Sequence, residues 1–253
     1  MLTEKQAERY SRHILLKGFG PGGQYRVMSS KVLVVGAGGL GSPALLYLAA
    51  AGVGTIGIAD YDVVELSNLQ RQIVHSESDI GSRKTDSALR ALKRVNSEIN
   101  VVLHNEKISR KNAPEVLYNY DFIIDGTDRL STKFLMNDAC VIAGKPFSHA
   151  GVVRYGGQIM TVIPHQSACL RCVIGESEID EGQQSCAEAG VLSAIVGLFG
   201  VLQALEAIKY LSQSGELLAN SVLFIDGSKM NFRKISVPRN PDCKVCGNKP
   251  SAK

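Results

Sequence analysis

Lys31–Val35 is a short unbroken apolar run, the pattern of a strand covered on both faces. Similar runs recur at Thr55–Ala59, 101–103, 122–124 and 147–150. Between them the apolar positions take a helical period: LLYLAAA after the first run, then 82–95 and 130–143. Pro43 falls in the first turn of its segment, where a missing N–H costs nothing. This alternation predicts a mostly parallel sheet with helices on both faces. The pattern changes after Gly156 and Gly157. Residues 158–163 suit an antiparallel strand, 191–211 a long helix, and 221–225 and 232–237 closing strands. Residues 175–190 are acidic and polar without a period and read as a loop. The expectation is one domain over 1–253: a helical arm to about residue 30, a first half over 31–155 and an antiparallel second half over 156–253.

Composition changes this picture little. The chain has 253 residues, 45% hydrophobic and 21% charged, with a net charge of +4. That is an ordinary globular composition, and the scattered basic residues give no case for nucleic acid. The N-terminus carries acids and no apolar core of signal length, so a cytoplasmic protein is expected. The most apolar segment, from Val191, is broken by Gln203, Glu206 and Lys209 before a membrane-spanning length of ~20 residues, so it reads as a buried helix.

The first strand runs into GAGGLG, residues 36–41, and then into a helix. This is the GxGxxG nucleotide fingerprint in its required setting, and it makes the expected fold Rossmann-like. Gly36 permits the tight turn, Gly38 lets backbone approach a phosphate, and Gly41 allows helix to pack on strand. Asp60 ends the second strand, where a carboxylate accepts from ribose hydroxyls. No GxxxxGK[ST] occurs. Two enzyme classes compete here. A nicotinamide dehydrogenase needs the glycines and Asp60. An enzyme that splits ATP between its α- and β-phosphates also needs cations and a Mg²⁺ carboxylate, and Asp62, Asn68, Arg71, Lys84 and Asp128 supply such a set. Asp128, just past the strand at 122–124, is the Mg²⁺ candidate. His13, His75, His104, His149 and His165 share no motif and read as structural or surface residues.

There are six cysteines. Cys169-x-x-Cys172 and Cys243-x-x-Cys246 have zinc-knuckle spacing, and together give a closed four-thiolate structural Zn²⁺ site. Cys140 reads as a small buried helix residue. Cys186 lies in the polar loop, in SCAEAGV.

ERYSRH (8–13), GAGGLGS, DYDVVELSNLQRQ, GSRK, DGTD and the paired CxxC resemble the ThiF/MoeB/HesA family over nearly the whole chain. That resemblance implies ATP- and Mg²⁺-dependent adenylation of the C-terminal glycine of a ubiquitin-like sulfur carrier, of ThiS or MoaD type, ending in Gly-Gly. It implies thiamine or molybdopterin synthesis. By the same resemblance Gly38 and Gly39 line the nucleotide, Asp60 binds ribose, and Asn68, Arg71 and Lys84 meet the phosphates. Ser67 and Thr127 join the nucleotide set and Asp128 holds Mg²⁺. Arg12 matches an arginine that enters the partner's site in a homodimer, and Cys186 matches a loop cysteine used for a covalent link in some relatives. The 156–253 half would receive the carrier. Arg129 departs from the family's usual asparagine. The residues carry no appended rhodanese domain, so sulfur is expected from elsewhere. An NAD(P) oxidoreductase and a non-catalytic carrier-docking scaffold are the competing readings, and pyrophosphate release separates the first reading from both.

Overall fold

The computed structural model describes residues 2–174 and 189–248. Among the described residues eight strands form one sheet: β1 (Lys31–Val35), β2 (Thr55–Ala59), β3 (Asn100–His104), β4 (Phe122–Asp125), β5 (Phe147–Val153), β6 (Gly156–Val162), β7 (Ser221–Asp226) and β8 (Asn231–Ser236). Their spatial order is β3-β2-β1-β4-β5-β6-β7-β8. The first five are parallel, and β6, β7 and β8 each join antiparallel to the strand before. The expected change of character after residue 156 is this switch of strand direction.

The parallel strands divide their side chains between two cores, because successive residues of a strand point to opposite faces. Val32, Val34, Ile56, Ile58 and Ile124 pack with Leu45 and Leu48 of α4 (Gly41–Ala51), Leu92 of α5 (Lys84–Val95), and Ala204 and Ala207 of α9 (Ser193–Ser212). Leu33, Val35, Ala59 and Ile123 pack on the other face with Val116 of α6 (Ala113–Tyr118) and Phe134 and Met136 of α7 (Leu130–Ile142). Both faces are therefore covered, which is why β1, β2 and β4 read as unbroken apolar runs.

The N-terminal arm holds α1 (Glu4–Arg9), α2 (Ser11–Ile14) and α3 (Gly20–Ser29). Thr3 starts α1 with a capping box, its hydroxyl accepting from Gln6 N–H. A further short helix, α8 (Leu170–Val173), begins directly after Cys169 and contains Cys172. The sequence pattern gave no signal for α6, whose six residues are too few to show a period.

β6 begins at Gly156, earlier than the expected 158, and pairs Gly156 with Val153 and Gly157 with Val152. Glycine suits this place because the neighbouring backbone is close: a Cβ on Gly157 would lie 2.4 Å from Gly151 O and 2.9 Å from the Phe199 ring. α9 has the length and hydropathy of a membrane span, but half of that stretch is buried in the fold. Gln203 and Glu206 sit buried on it and bond the neighbouring strands and loop: Gln203 Nε2 donates to Asp125 O and Ser148 O, and Glu206 Oε2 accepts from Thr161 Oγ1 and Leu218 N. It is a core helix, as its interrupted pattern indicated.

Two glycines of α9 give opposite expectations for the same substitution. A Cβ on Gly197 meets nothing within 4 Å, whereas one on Gly200 would lie 2.2 Å from Leu40 O and 2.5 Å from Pro43. Gly197→Ala should stabilise the fold by up to about 1 kcal/mol through helix propensity, and Gly200→Ala should destabilise it by about 1–3 kcal/mol through overpacking. Urea unfolding of both variants checks the sign; equal effects would refute the close packing of α9 on α4.

Candidate nucleotide site and cysteine cluster

Because β1 lies between β2 and β4, the connections from β1 and β4 leave the sheet on opposite sides, and a crevice opens at their carboxyl ends. Gly36 to Gly41 turn there. Gly36 has φ +94, and a Cβ on it would stand 2.8 Å from Gly126 O. A Cβ on Gly41 would stand 1.8 Å from Gly36 O. No side chain fits either place, so both assignments of a tight turn and close packing hold.

The peptide at Ala37 is clamped on both sides. Its N–H donates to Asp60 Oδ2 at 2.7 Å, and its carbonyl accepts from His75 Nε2 at 3.0 Å. His75 Nδ1 in turn meets Ser87 Oγ at 2.8 Å. Burial, opposed by the bond to Ala37, lowers the His75 pKa below the ordinary 6.5, so the ring is neutral at pH 7. The other Asp60 oxygen accepts from Asp62 N–H at 2.8 Å. Asp60 thus ties the exit of β2 to the glycine turn.

The polar tail of DYDVVELSNLQRQ folds back beside that turn. Lys84, the first residue of α5, is buried and bonds Asp62 Oδ2 at 3.0 Å. Asn68 ends a short 3₁₀ turn (Leu66–Asn68); its Oδ1 accepts from Glu65 N–H and its Nδ2 donates to Ser67 Oγ. Arg71 Nη1 donates to Ser67 O at 3.2 Å, and its side chain lies 3.4 Å from where a Cβ of Gly39 would be. Asp62, Val63, Glu65, Asn68 and Lys84 line a cavity of about 180 Å³. Two cations therefore stand beside backbone N–H groups and exposed carboxylates, an arrangement suited to a polyanion that carries a divalent cation.

Asp128 lies three residues past β4 and is exposed, as is Arg129. The loop that carries Asp128 is fixed from beneath. Asp125 Oδ1 accepts from Thr127 N–H at 3.1 Å and Thr127 Oγ1 at 2.6 Å; its Oδ2 meets His149 Nδ1 at 3.0 Å and Lys133 Nζ at 3.5 Å. Lys133 also donates to Ala150 O at 2.6 Å. Burial alone would raise the Asp125 pKa, but the Lys133 charge and the bonds from His149 and Thr127 outweigh it and hold the carboxyl well below the usual range. His149 is pushed down by burial, so Lys133 is the counter-charge and His149 a neutral donor.

Arg12 is not brought to this site. Its neighbour Tyr10 touches Gly52 and bonds Asn96, and His13 bonds Gln24, which bonds Ala51 O. These are the carboxyl ends of α4 and α5, so α2 lies at the edge of the sheet opposite the glycine turn. Cys186 lies outside the described residues.

The four paired cysteines do meet. Their sulfurs lie within 4.8 Å of one another, with Cys169–Cys172 at 4.0 Å, Cys169–Cys243 at 3.8 Å and Cys172–Cys246 at 3.4 Å. Four thiolates about 2.3 Å from one tetrahedral ion stand roughly 3.8 Å apart, so the set fits a single metal ion. Cys169, Cys243 and Cys246 are buried. Hydrogen bonding with Cys172, then burial, push the Cys169 thiol up, while Cys172 is pulled down by the bond from Cys169. The cluster is anchored to α7: Leu170 N–H donates to Asn137 Oδ1 at 2.8 Å, and Arg171 pairs with both oxygens of Asp138 at 2.7 Å. Cys140 is fully buried, as expected of a packing residue.

His13, His75, His104 and His149 bond neighbouring groups of the fold and His165 is exposed, yet no sequence pattern showed which groups His75 and His149 hold. The Asp125–Lys133–His149 network and Gln203 also escaped it. The available signal was a charged residue at the end or inside of an apolar segment, which for Asp125 and Lys133 was there to be seen.

A family model described as the ThiF family matches residues 10–245. The SAMP-activating enzyme E1 of Haloferax volcanii is 42% identical over 246 residues, which cover 97% of this chain and 91% of that protein. The adenylyltransferase and sulfurtransferase MOCS3 of Mus musculus is 43% identical over 252 residues; the match covers 99% of this chain but only 55% of that protein. This chain thus spans little more than half the length of the MOCS3 proteins it matches. Among solved structures, E. coli MccB with ATP superposes with a TM-score of 0.86 at 26% identity, covering 97% of this chain and 75% of that one.

The buried charge pair gives a prediction. Asp125→Asn leaves the Lys133 ammonium buried without a counter-charge and should cost about 3–5 kcal/mol at pH 7. Adding Lys133→Met should recover much of that loss. Because the folded pKa of Asp125 is depressed, its contribution is present above the unfolded value of 3.8 and is lost as pH falls below it, so the difference from wild type should shrink there. Urea unfolding across that pH range checks this; equal losses in the single and double variants would show that the pair is uncoupled.

Proposed function

This chain belongs to the ThiF family, and on that premise we propose that it is an ATP-dependent adenylyltransferase that activates the C-terminal glycine of a small ubiquitin-like sulfur carrier. The observation that carries the reading is the gathering of Asp60, Asp62, Asn68, Arg71 and Lys84 beside the glycine turn. Relatives named as an E1 that activates SAMP and as adenylyltransferases support it, and so does the likeness to MccB, solved with ATP. An oxidoreductase has no use for the Lys84–Asp62 pair and Arg71 at this place.

In the reaction a carboxylate oxygen of the carrier's terminal glycine attacks the α-phosphorus of ATP. The bond from that phosphorus to the α,β-bridging oxygen breaks, pyrophosphate leaves with the electron pair, and the carrier becomes an acyl adenylate. The attacking carboxylate is already ionised at pH 7, so no general base is needed. Asp60 orients the ribose, and the backbone around Gly38 and Gly39 with Ser67 and Thr127 frames the phosphates. Asn68, Arg71 and Lys84 stabilise the charge that develops on the leaving pyrophosphate. Asp128 would hold Mg²⁺, which when bound neutralises part of the triphosphate charge. The carrier is of the ThiS or MoaD type with a Gly-Gly terminus, received by the antiparallel half, and serves thiamine or molybdopterin synthesis in the cytoplasm, where ATP is present and thiols stay reduced. Arg12, remote from the turn of its own chain, serves the site of a second copy, so the working unit is a homodimer.

The test is ATP–pyrophosphate exchange with a panel of Gly-Gly carriers. Asp128→Ala should abolish exchange, and near-normal exchange would remove Asp128 from the metal role. Cys186→Ala should leave adenylation intact. Mixing Arg12→Ala and Asp128→Ala protein should restore activity to roughly a quarter of wild type by random pairing of subunits; no recovery would exclude an arginine acting across subunits.

The cysteine cluster takes Zn²⁺ in a closed, structural site. Purified protein should carry one Zn²⁺ per chain by metal analysis. Cys243→Ser should lower both zinc content and thermal stability, while ATP–pyrophosphate exchange by the remaining folded fraction persists. Zinc-free wild-type protein of full stability would sink this assignment.

A further inference from the structure

Gln72 closes the motif SNLQRQ, and neither the fold nor the roles above give its side chain a task. It is 4% exposed. Its backbone is satisfied: Gln72 N–H donates to Asn68 O, and His75 N–H donates to Gln72 O. Its side-chain amide has no hydrogen-bond partner among the described residues, and the buried Oε1 is one of two such orphaned atoms, the other being Gln203 Oε1. An amide buried without partners is rare, because folding strips it of water and returns nothing. The amide is directed at the nucleotide crevice: Nε2 stands 3.7 Å from the position a Cβ of Gly38 would take. Arg71, its chain neighbour, packs beside Gly39 on the same side of the turn.

We propose that Gln72 is a nucleotide contact, its Nε2–H donating to a non-bridging oxygen of the α-phosphate, and this rests on the adenylation reading above. The order of groups along the turn selects that phosphate. Asp60, which the ribose would meet, is bonded to Ala37 N–H. The next residue, Gly38, is the glycine at which backbone approaches phosphate in this fingerprint. The phosphate next to a ribose in ATP is the α-phosphate, the centre that is attacked. A neutral donor there binds the oxygens whose charge grows in the transition state without competing with the incoming carboxylate for a cation. The unpaired Nε2–H donor of Gln72 is then a pre-formed part of the site, and no change of fold is needed to use it; the orphaned Oε1, an acceptor, takes no part in the contact.

The experiment uses the full chain, a carrier that supports exchange by the wild type, and ATP together with the two α-thio diastereomers of ATP. Gln72→Met keeps the side chain's volume and removes both polar ends. Its unfolding temperature without nucleotide should equal or exceed that of wild type, since no bond is lost. Exchange should fall about 10²-fold, with kcat falling more than KM for ATP rises. The ratio of rates between the two diastereomers should change, because sulfur replaces the acceptor oxygen in one of them only. Gln72→Ala should repeat the loss and the changed ratio. A Met variant that exchanges within about twofold of wild type, with an unchanged diastereomer ratio, overturns the contact. So does a Met variant that is destabilised without nucleotide while the ratio stays as in wild type, which would make Gln72 a structural residue. Wild-type protein that exchanges with no carrier defeats the adenylation reading itself, and this contact with it.

Discussion

Three backbones meet where β1 and β4 end, and the rest of the molecule depends on their fit. A Cβ on Gly36 would strike Gly126 O, one on Gly41 would strike Gly36 O, and one on Gly126 would stand 3.0 Å from Gly36 O. Only glycine lets the chain pass through this point. The same crowding brings the amino end of α4 and the loop after β4 to one crevice, so the positive end of a helix and the Thr127–Asp128 loop face the same volume. Gly38, Gly39, Thr127 and Asp128 stand on the two segments that leave this meeting.

Around this point the fold uses buried and half-buried polar groups as fixings. Asp60 and His75 hold the two sides of the Ala37 peptide. Asp125 holds the Thr127 loop, and Gln203 of α9 holds the backbone of β4 and β5. A polar group taken out of water is costly unless bonded, so such networks resist alternative arrangements. One consequence is that helix α7 links two distant features. Lys133 near its start joins the Asp125 network, and Asn137 and Asp138 further on anchor the segment between Cys169 and Cys172. The cysteine cluster thereby fastens the C-terminal segment, through Cys243 and Cys246, to the helix that follows the Asp128 loop.

Much of this was legible in the sequence. Lys31–Val35 and Thr55–Ala59 are strands at their expected bounds, and the switch to antiparallel pairing falls where the apolar pattern changes. Two-sided burial writes itself as an unbroken apolar run, and a glycine fingerprint between strand and helix has few structural alternatives. The CxxC pairs meet as their spacing suggested. The start of β6 was misjudged where backbone proximity overrides local preference: Gly156 and Gly157, expected to lead into a strand from 158, are themselves paired strand.

What the sequence determined by itself was the set of elements, their order and the chemistry of the motif residues, because period, glycine placement and ligand spacing are local properties of the chain. Tertiary structure alone decided which of those residues share a site. It set Arg12 at the far edge of the sheet from the glycine turn, brought His75 under Ala37 and His149 against Asp125, and left the Gln72 amide facing Gly38 without a partner. These are contacts between residues far apart in the chain or turned into a shared cleft. They depend on how strands are ordered and helices packed, which no local pattern encodes.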